Sequence, residues 1–378
     1  MKNWLIVALG LGLSSLAGCV DTYKPEAISK PVNYLVVDGF INANGVTTIR
    51  LSRTGLLDSN KPIPVETRAN VFIEEEGGAR YPLAEASTAG TYRSASLRLS
   101  PGRRVRLYIK TSGPQEYASD FVPVKLTPPI DSLTWRAKPD GVQLYVNTHD
   151  ETDQARYYRW DYDQTWEFTS ALVSRYEYVN HQMLPRRENI NRCWRSEVGT
   201  TVKLGNTARL SHDVLREASL FMVPSTSEKL NIKYSILVRQ YAITPEESAY
   251  WEMLNKNTEN IGTVFGPLPS QEQGNVHRLG ADEPVLGYVG ASSVTEKRLF
   301  VARPQLPRTW YPSAGNPECV FLQIVPDPEG KGPTIEEYFG TGMHLPVDEV
   351  APGVYSGAMR ECVDCRLRGS NIRPSFWQ

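Results

Sequence analysis

Cys19 is the residue whose surroundings point most directly to chemistry. It follows Leu16-Ala17-Gly18, and before these residues stands the apolar run Leu5–Leu16 with a single lysine, Lys2. An apolar run of about a dozen residues is typical of a signal peptide and is too short to cross a bilayer as a helix. Two small residues directly before a cysteine are similar to the lipobox of bacterial lipoproteins. The motif implies cleavage before Cys19, a diacylglyceryl group on its thiol and acylation of the new amine.

The residues after this cysteine favour an anchor in the outer membrane. Residues 19–32 are polar, contain two prolines and show no period, which is typical of a tether. An aspartate directly after the cysteine would favour the inner membrane, but this position is Val20. Several acyl chains, at ~0.8 kcal/mol per buried CH₂, would hold the chain firmly. The periplasmic or surface side stays open, and the alternative is a soluble secreted protein whose signal ends near a cysteine.

A search for catalytic and metal-binding motifs finds none that is specific. The five histidines lack H-E-x-x-H spacing, and the chain has no G-x-S-x-G elbow and no P-loop. His149-Asp150-Glu151 with Asp153 could hold a cation, but a solvated turn is the favoured interpretation. Asp161, Asp163 and Glu167 alternate along a strand and could cleave a glycoside, although surface charge explains them better. The sequence therefore predicts no catalytic residues, no cofactor and no metal.

Aromatic residues are concentrated between positions 157 and 178. In a strand, Tyr158, Trp160 and Tyr162 would point to one side, and one side of the strand must face the core. Any of the remaining aromatic side chains that are exposed would form a patch of the type enriched at interaction hot spots, or a platform for sugar rings. Core packing alone would also explain most of them. The candidate binding patch consists of Tyr158, Trp160, Trp166, Tyr176 and Tyr178.

Four cysteines remain besides Cys19: Cys193, Cys319, Cys362 and Cys365. An even number of thiols in an exported chain usually forms disulfides, and three connectivities can be drawn. Cys362-Val363-Asp364-Cys365 could instead be a redox motif or half of a zinc site. The redox interpretation lacks a βαβ context, and the zinc interpretation lacks a second C-x-x-C and a nearby histidine. We therefore expect structural disulfides of open connectivity.

The length and the net charge of the chain limit the classes of protein to which it can belong. Removing the signal, residues 1–18, from the 378-residue chain leaves 360 residues, which suits two domains. Removing Lys2 with it changes 41 basic and 42 acidic residues to 40 and 42, a net charge near −2. Such a balance gives no reason to expect nucleic acid as a partner.

Short alternating strands separated by turns predict a mainly β protein. Residues 33–127 carry turns about every ten residues and predict an antiparallel β-sandwich of the immunoglobulin or fibronectin-III type. The prolines at 128 and 129 mark a boundary, and 130–302 predicts a second β-sandwich with insertions. One helix is expected at about 245–260, because Thr244 can cap it and Pro245 fits its first position. Residues 303–378 predict an extended C-terminal region that contains three of the four cysteines.

Several segments together resemble one known family. They are Cys19-Val20-Asp21, Leu35-Val36-Val37-Asp38-Gly39, Leu51-Ser52-Arg53-Thr54, Tyr234-Ser235-Ile236-Leu237-Val238-Arg239-Gln240-Tyr241, Tyr250-Trp251-Glu252-Met253-Leu254 with Lys256-Asn257-Thr258-Glu259, Pro267-Leu268-Pro269-Ser270 to Gly274-Asn275-Val276, Gly287-Tyr288-Val289, Cys362-Val363-Asp364-Cys365 and Pro374-Ser375-Phe376-Trp377. The chain resembles lipoproteins of Bacteroidota known only as a domain of unknown function, whose genes often lie beside TonB-dependent outer-membrane receptors. The family pattern has another cysteine near 276–278, where this chain has Val-His-Arg, so no disulfide map carries over.

Three functional hypotheses follow. The first is a non-enzymatic outer-membrane lipoprotein, held to the membrane by the lipid on Cys19, that acts as an accessory or binding subunit of a TonB-dependent receptor. The receptor link is implied only by the family resemblance. The second is a stand-alone glycan- or peptide-binding module that uses the aromatic cluster. The third and least favoured is a hydrolase with an unfamiliar site, because fold alone does not decide function.

Overall fold

The computed structural model describes residues 33–55, 62–259, 274–325 and 334–378. Its first body is a sheet of ten strands around one apolar core. The strand order is β18-β7-β6-β3-β4-β5-β2-β1-β19, and β8 pairs with β6. The strands are β1 (Leu35–Asn42), β2 (Asn44–Arg53), β3 (Asn70–Glu75), β4 (Arg80–Glu85), β5 (Thr91–Arg98), β6 (Arg104–Lys110), β7 (Glu116–Ser119), β8 (Val122–Pro123), β18 (Val276–Arg278) and β19 (Ala291–Ser292).

The second body packs a three-stranded sheet, in the order β16-β10-β9, against a five-stranded sheet. The larger sheet has the order β14-β11-β17-β20, and β15 also pairs with β11. Both sheets contribute to one core rich in tyrosine and tryptophan. The strands are β9 (Ile130–Lys138), β10 (Gly141–Asp150), β11 (Tyr157–Thr169), β14 (Arg192–Val198), β15 (Lys203–Asn206), β16 (Asp213–Pro224), β17 (Lys233–Ala242) and β20 (Val294–Ala302).

The third body, which we call the C-terminal unit, has a small core of its own. Its sheet has the order β21-β23-β22, and a separate hairpin, β12-β13, packs beside it. The sequence predicts an extended region over residues 303–378. Besides extended segments, these residues contain this sheet and two short helices. The elements are β12 (Tyr176–Val179), β13 (Gln182–Pro185), β21 (Leu322–Ile324), β22 (His344–Ala351), β23 (Val354–Met359), α2 (Ile335–Phe339) and α3 (Arg360–Val363).

The predicted helix is present as α1 (Pro245–Glu259). Thr244 caps it as expected, because its hydroxyl accepts a hydrogen bond from the backbone N–H of Glu247 at 3.2 Å. The Glu247 side chain is buried and points toward the second sandwich. The mainly β fold with two sandwich-like bodies is therefore confirmed, together with its best-capped helix.

Residues 276–292 differ from the predicted domain division, which placed them in the second sandwich. In the structure β18 pairs with β7, β19 runs parallel to β1, and Val276, Val285 and Val289 are buried in the first core. Strands of two or three residues are too short to show an alternation of apolar and polar residues. The sequence therefore could not show that the chain returns to the first sheet here. The chain thus crosses between the two sandwiches more than once, which fastens them together.

Candidate functional site

The lipidation residue Cys19 and the tether 19–32 lie outside the described residues. The other four cysteines form two disulfides, Cys193–Cys365 and Cys319–Cys362. The two cysteines of the C-x-x-C motif therefore belong to different bridges, and neither the redox pair nor the half zinc site exists. The structural-disulfide prediction is confirmed. The Cys193–Cys365 bridge attaches the C-terminal unit to β14. The Cys319–Cys362 bridge lies within that unit and joins the segment before β21 to α3.

Three members of the predicted aromatic patch lie in the core instead of on the surface. Tyr158, Trp160 and Trp166 of β11 are 0%, 1% and 1% exposed. Their polar atoms are satisfied inside the protein: Trp160 Nε1 donates to Gln240 at 2.8 Å, and the Tyr158 hydroxyl donates to Asp213 at 2.7 Å. Strand β11 lies between β17 and β14 with the three-stranded sheet over one face, so its even-numbered side chains fill the sandwich.

Tyr176 and Tyr178 remain half-buried on the β12-β13 hairpin. The hairpin turns at Asn180 and His181, which both have positive φ, at 50° and 60°. Two residues with positive φ suit a two-residue hairpin turn, and asparagine adopts this conformation more readily than most residues. The backbone N–H of Arg175 donates to the carbonyl of Val347 at 2.8 Å and fixes the hairpin against β22.

These two tyrosines belong to a group that we call the tyrosine–carboxylate surface. The Tyr176 hydroxyl donates to Glu349 Oε2 at 3.1 Å, and its ring meets that of Tyr355 edge to face at 5.5 Å. The Tyr178 hydroxyl donates to Glu336, and its ring lies 6.4 Å from Phe339. The surface consists of Tyr176, Tyr178, Tyr355, Glu336 and Glu349.

Helix α2 places Glu336 on this surface. Thr334 and Glu337 form a capping box, in which the Thr334 hydroxyl accepts from the Glu337 N–H at 3.1 Å and the Glu337 carboxylate accepts from the Thr334 N–H at 2.9 Å. The helix packs closely on β23 at Gly357, where an added Cβ would lie 2.7 Å from the Phe339 ring. A five-residue helix is therefore held by its cap and by this close contact.

The electrostatics of the surface suit a ligand with hydrogen-bond donors or positive charge. Hydrogen bonds from Tyr178 and His181 lower the pKa of the Glu336 carboxyl, so it is ionised at neutral pH. The hydrogen bond to Glu349 raises the pKa of Tyr176, which stays a neutral donor. Carboxylates beside aromatic faces can accept hydrogen bonds from sugar hydroxyls or hold lysine and arginine side chains.

The carboxylates considered for glycoside cleavage are held in ion pairs. Arg239 pairs with Asp161 at 3.1 Å, with Asp163 and with Glu296 at 3.1 Å. Glu167 is buried and pairs with Arg192 at 2.6 Å, while Trp377 Nε1 donates to it at 3.2 Å. The three candidate carboxylates thus face basic or N–H partners.

The polar group around His149 is a hydrogen-bonded turn. His149 pairs with Asp131 at 2.8 Å, and this hydrogen bond raises the pKa of the imidazole. Asp150 accepts backbone N–H groups from Thr152, Gln154 and Ala155 at 2.9–3.0 Å. Among the described residues, no three His, Cys, Asp or Glu side chains are grouped so that they could hold a metal ion.

A second cluster, which we call the Arg159 joint, was missed by the sequence analysis. The Arg159 guanidinium is 4.3 Å from the ring centre of Tyr241, 4.9 Å from Trp251 and 5.9 Å from Phe40. Its Nη1 is 4.0 Å from Oε1 of Glu247, which also accepts a hydrogen bond from Trp251 at 3.3 Å. These five residues come from β1, β11, β17 and α1, so the joint connects both sandwiches with the helix.

Three of the segments that carried the family resemblance lie in or directly beside this joint. Tyr241 and Trp251 belong to two of those segments, and Phe40 directly follows a third. In a fourth, Gly287 has a φ of 126° and an added Cβ would overlap the carbonyl oxygen of Val37. Glycine is the residue that accepts both conditions. The sequence thus contains these motifs separately, and only the fold shows that they lie next to one another.

Across residues 33–55, 62–259, 274–325 and 334–378, no helix combines the length and the apolar character that crossing a membrane would need.

Two β-sandwiches and a small C-terminal sheet, which the Cys193–Cys365 disulfide ties to the second sandwich, define a multidomain β-sandwich protein. The chain belongs to the family described as a domain of unknown function (DUF4249), whose model matches residues 20–298. Most of the C-terminal unit, including the carboxylates Glu336 and Glu349, lies beyond the matched residues. No curated protein matches this chain.

Solved structures resemble the chain only distantly. A segment of chicken tenascin with two fibronectin type III domains is 10% identical and covers 55% of this chain and 90% of its own length, with a TM-score of 0.17. A DUF4785 family protein from Legionella pneumophila is 9% identical and covers 55% of this chain and 51% of its own length, also with a TM-score of 0.17.

Proposed function

We propose that this protein is a non-enzymatic outer-membrane lipoprotein that serves as an accessory or binding subunit of a TonB-dependent receptor. The observation that carries the anchoring proposal is Leu16-Ala17-Gly18-Cys19 followed by Val20. The receptor link is supported by the resemblance to lipoproteins whose genes lie beside such receptors. Membership of the DUF4249 family agrees with that resemblance at the level of the domain.

The disulfides support export of the body. Both bridges join cysteines distant in sequence, with separations of 172 and 43 residues. Disulfides persist in oxidising compartments such as the periplasm and the cell surface and are rare in the cytosol. A lipid-anchored body in the bacterial envelope fits this chemistry.

The tyrosine–carboxylate surface is our candidate for the binding element. It is rich in tyrosine, which is enriched at interaction hot spots, and the ionised Glu336 carboxylate lies beside half-exposed rings. A stand-alone glycan- or peptide-binding module is the second candidate, and the same surface favours it. The two differ in one respect: the stand-alone module binds its ligand as the purified body, without a receptor.

The anchoring proposal predicts that Cys19→Ala abolishes lipidation, because residues 20–32 offer no other thiol to acylate. The variant should run as uncleaved precursor, or appear in the soluble periplasmic fraction if another peptidase cuts it. Metabolic labelling with a fatty-acid analogue, followed by membrane fractionation, measures this. Thr22→Ala, which lies in the tether and leaves the motif intact, is the matched control and should label normally. Label retained by Cys19→Ala would show that the anchor lies elsewhere.

A further inference from the structure

The open end of the β22-β23 hairpin places a histidine beside a methionine. His344 begins β22, Met359 ends β23, and the two residues lie directly opposite each other. The next pair outward is hydrogen-bonded, since the backbone N–H of Arg360 donates to the carbonyl of Met343 at 2.8 Å. His344 and Met359 are therefore a non-hydrogen-bonded pair, whose Cα atoms are about 4.5 Å apart and whose side chains leave the same face of the sheet.

A second methionine lines the same pocket. Met343 lies in the bend before β22, so the alternation of the strand does not direct its side chain to the opposite face. Met343, His344 and Met359 together line an open pocket of about 430 Å³. The other residues that line it are Thr341, Gly342, Arg360, Glu361 and Leu367. Two thioether groups and one imidazole thus share one cavity.

Packing does not explain these two methionines. Their exposed fractions are 68% for Met343 and 56% for Met359. Methionine usually fills gaps in a hydrophobic core, and this chain contains six methionines in all. Two exposed thioethers beside an imidazole are arranged instead as a set of ligands.

The imidazole of His344 is held in place without the use of its nitrogens. Its ring stacks on that of Tyr338, with the ring centres 4.3 Å apart and an angle of 26° between the planes. Tyr338 belongs to α2, which packs on this face of the sheet at Gly357. Among the residues that the structure describes, neither ring nitrogen of His344 has a hydrogen-bond partner. A neutral imidazole with a free nitrogen is the commonest metal ligand in proteins.

The ligand types select a soft metal ion of low charge. Thioether sulfur favours Cu(I), whereas carboxylate and carbonyl oxygens favour magnesium or calcium. Two thioethers and a neutral imidazole carry no charge, so they suit a monovalent ion better than Zn²⁺, whose protein ligands are thiolates, imidazoles and carboxylates. The four cysteines of the described residues are all in disulfides, so methionine is the sulfur ligand that remains there.

The charges around the pocket are compatible with a bound cation. The Arg360 guanidinium is engaged by Asp364, with Nε and Nη2 each 3.3 Å from Oδ2 of that carboxylate. Glu361 lines the pocket and brings a negative charge to it. The positive charge of Arg360 is therefore balanced beside the cavity.

We propose that Met343, His344 and Met359 form a binding site for Cu(I), with two sulfurs and one imidazole nitrogen as the ligands. Motifs of histidine, cysteine and carboxylate spacing do not reveal such a site, because two of its three ligands are methionines. The site goes beyond the proposed role at a receptor and does not depend on it.

Ag(I) is the probe, because it shares the charge and the ligand preference of Cu(I) and stays in one oxidation state. It is added as the nitrate to the full-length chain, with the disulfides intact and the methionine methyl groups isotope-labelled for NMR. The methyl signals of Met343 and Met359 should shift together and stop shifting at one Ag(I) per chain. Those of Met183, Met222 and Met253 should keep their positions. Cu(I), supplied without oxygen from a competing chelator, should shift the same two signals.

Met343→Leu combined with Met359→Leu removes both sulfurs at nearly constant volume. This variant should bind Ag(I) at least about tenfold more weakly, the order of loss that follows disturbance of a metal site. His344→Gln should also weaken binding, because the imidazole is the third ligand. Met222→Leu, at a methionine that is 40% exposed on β16, is the matched control and should bind as the wild type does.

Equal shifts of all the methionine methyl signals, or no shift at Met343 and Met359, would overturn the proposal. Unchanged affinity in His344→Gln would contradict the role of the imidazole and overturn the three-ligand site. The same two shifts on addition of Zn²⁺ would overturn the assignment to Cu(I). None of these results depends on whether a receptor co-purifies, so the two proposals fail separately.

Discussion

Replacing Cys193 and Cys365 together with alanine is expected to lower the free energy of unfolding by about 5 kcal/mol. The bridge spans 172 residues, and closing a loop of that length removes much conformational entropy from the unfolded chain. Both cysteines are buried, at 0% and 1% exposure, so the loss of packing adds to the effect. Urea unfolding, monitored by tryptophan fluorescence, measures this loss of stability, since Trp166 and Trp194 lie close to the bridge.

The matched control is Cys319→Ala with Cys362→Ala, whose bridge spans 43 residues. By the same loop-length relation its loss should be about 4 kcal/mol, and it should fall mainly on the C-terminal unit. Both double variants leave no free partner thiol. An unchanged unfolding midpoint in the Cys193 and Cys365 variant would contradict the role of this bridge in holding the C-terminal unit.

Arg159→Met is expected to lower the free energy of unfolding at neutral pH by about 3–5 kcal/mol. The substitution keeps an unbranched side chain against the rings of Tyr241 and Trp251 but removes the positive charge that faces buried Glu247. An unpaired carboxylate in the interior is strongly destabilising. The measurement is urea unfolding at several pH values.

The sign of the pH dependence follows from Glu247. Burial raises the pKa of its carboxyl above the ordinary value of 4.5, and Arg159 opposes that shift. A raised pKa in the folded state means that the stability which this group contributes is full below pH 4.5 and is lost as the pH rises through the folded-state pKa. Without Arg159 the folded-state pKa rises further, so the penalty should be small in acid and largest at neutral pH.

Arg159→Met combined with Glu247→Gln is the matched control. The amide carries no charge at any pH, so the double variant should recover part of the stability and lose the pH dependence. If Arg159→Met lost the same free energy of unfolding in acid and at neutral pH, the ion pair would be contradicted. The loss would then reflect only the packing against the rings.

The local structure could be predicted where the sequence repeats a pattern. Thr244 and Pro245 marked the start of α1 correctly, because a cap and a first-turn proline act within a few residues. Strand β6 alternates buried and exposed positions as its sequence does. The β-sandwich class followed from many such strands.

Long-range placement could not be predicted in the same way. Strands β18 and β19 have three and two residues, too few to show alternation, and their place in the first sheet depends on tertiary packing. The cysteine pairing depends on which strands become neighbours. Arg159 alone in a strand carries no signal, and its role appears only when α1 and β17 surround it.

The candidate site was predicted in part. Tyr176 and Tyr178 lie on a surface, whereas Tyr158, Trp160 and Trp166 are core. Composition could not separate the two groups, because aromatic residues serve both cores and interfaces. In the structure, a hairpin turn at Asn180 and His181 places the first pair outside the central strand, and the sequence analysis predicted no turn there.

We propose, above all, that this protein is an outer-membrane lipoprotein whose partner is a TonB-dependent receptor. Its most direct measurement is mild-detergent extraction of the full-length chain, with quantification of the receptor that co-purifies. The wild-type chain should carry the receptor, and Tyr176→Ala with Tyr178→Ala should carry about tenfold less, as expected when interface tyrosines are truncated. Tyr311→Ala, a tyrosine that is 84% exposed and distant in sequence from the hairpin, is the matched control and should behave as wild type. A wild-type extract without a receptor would contradict the account.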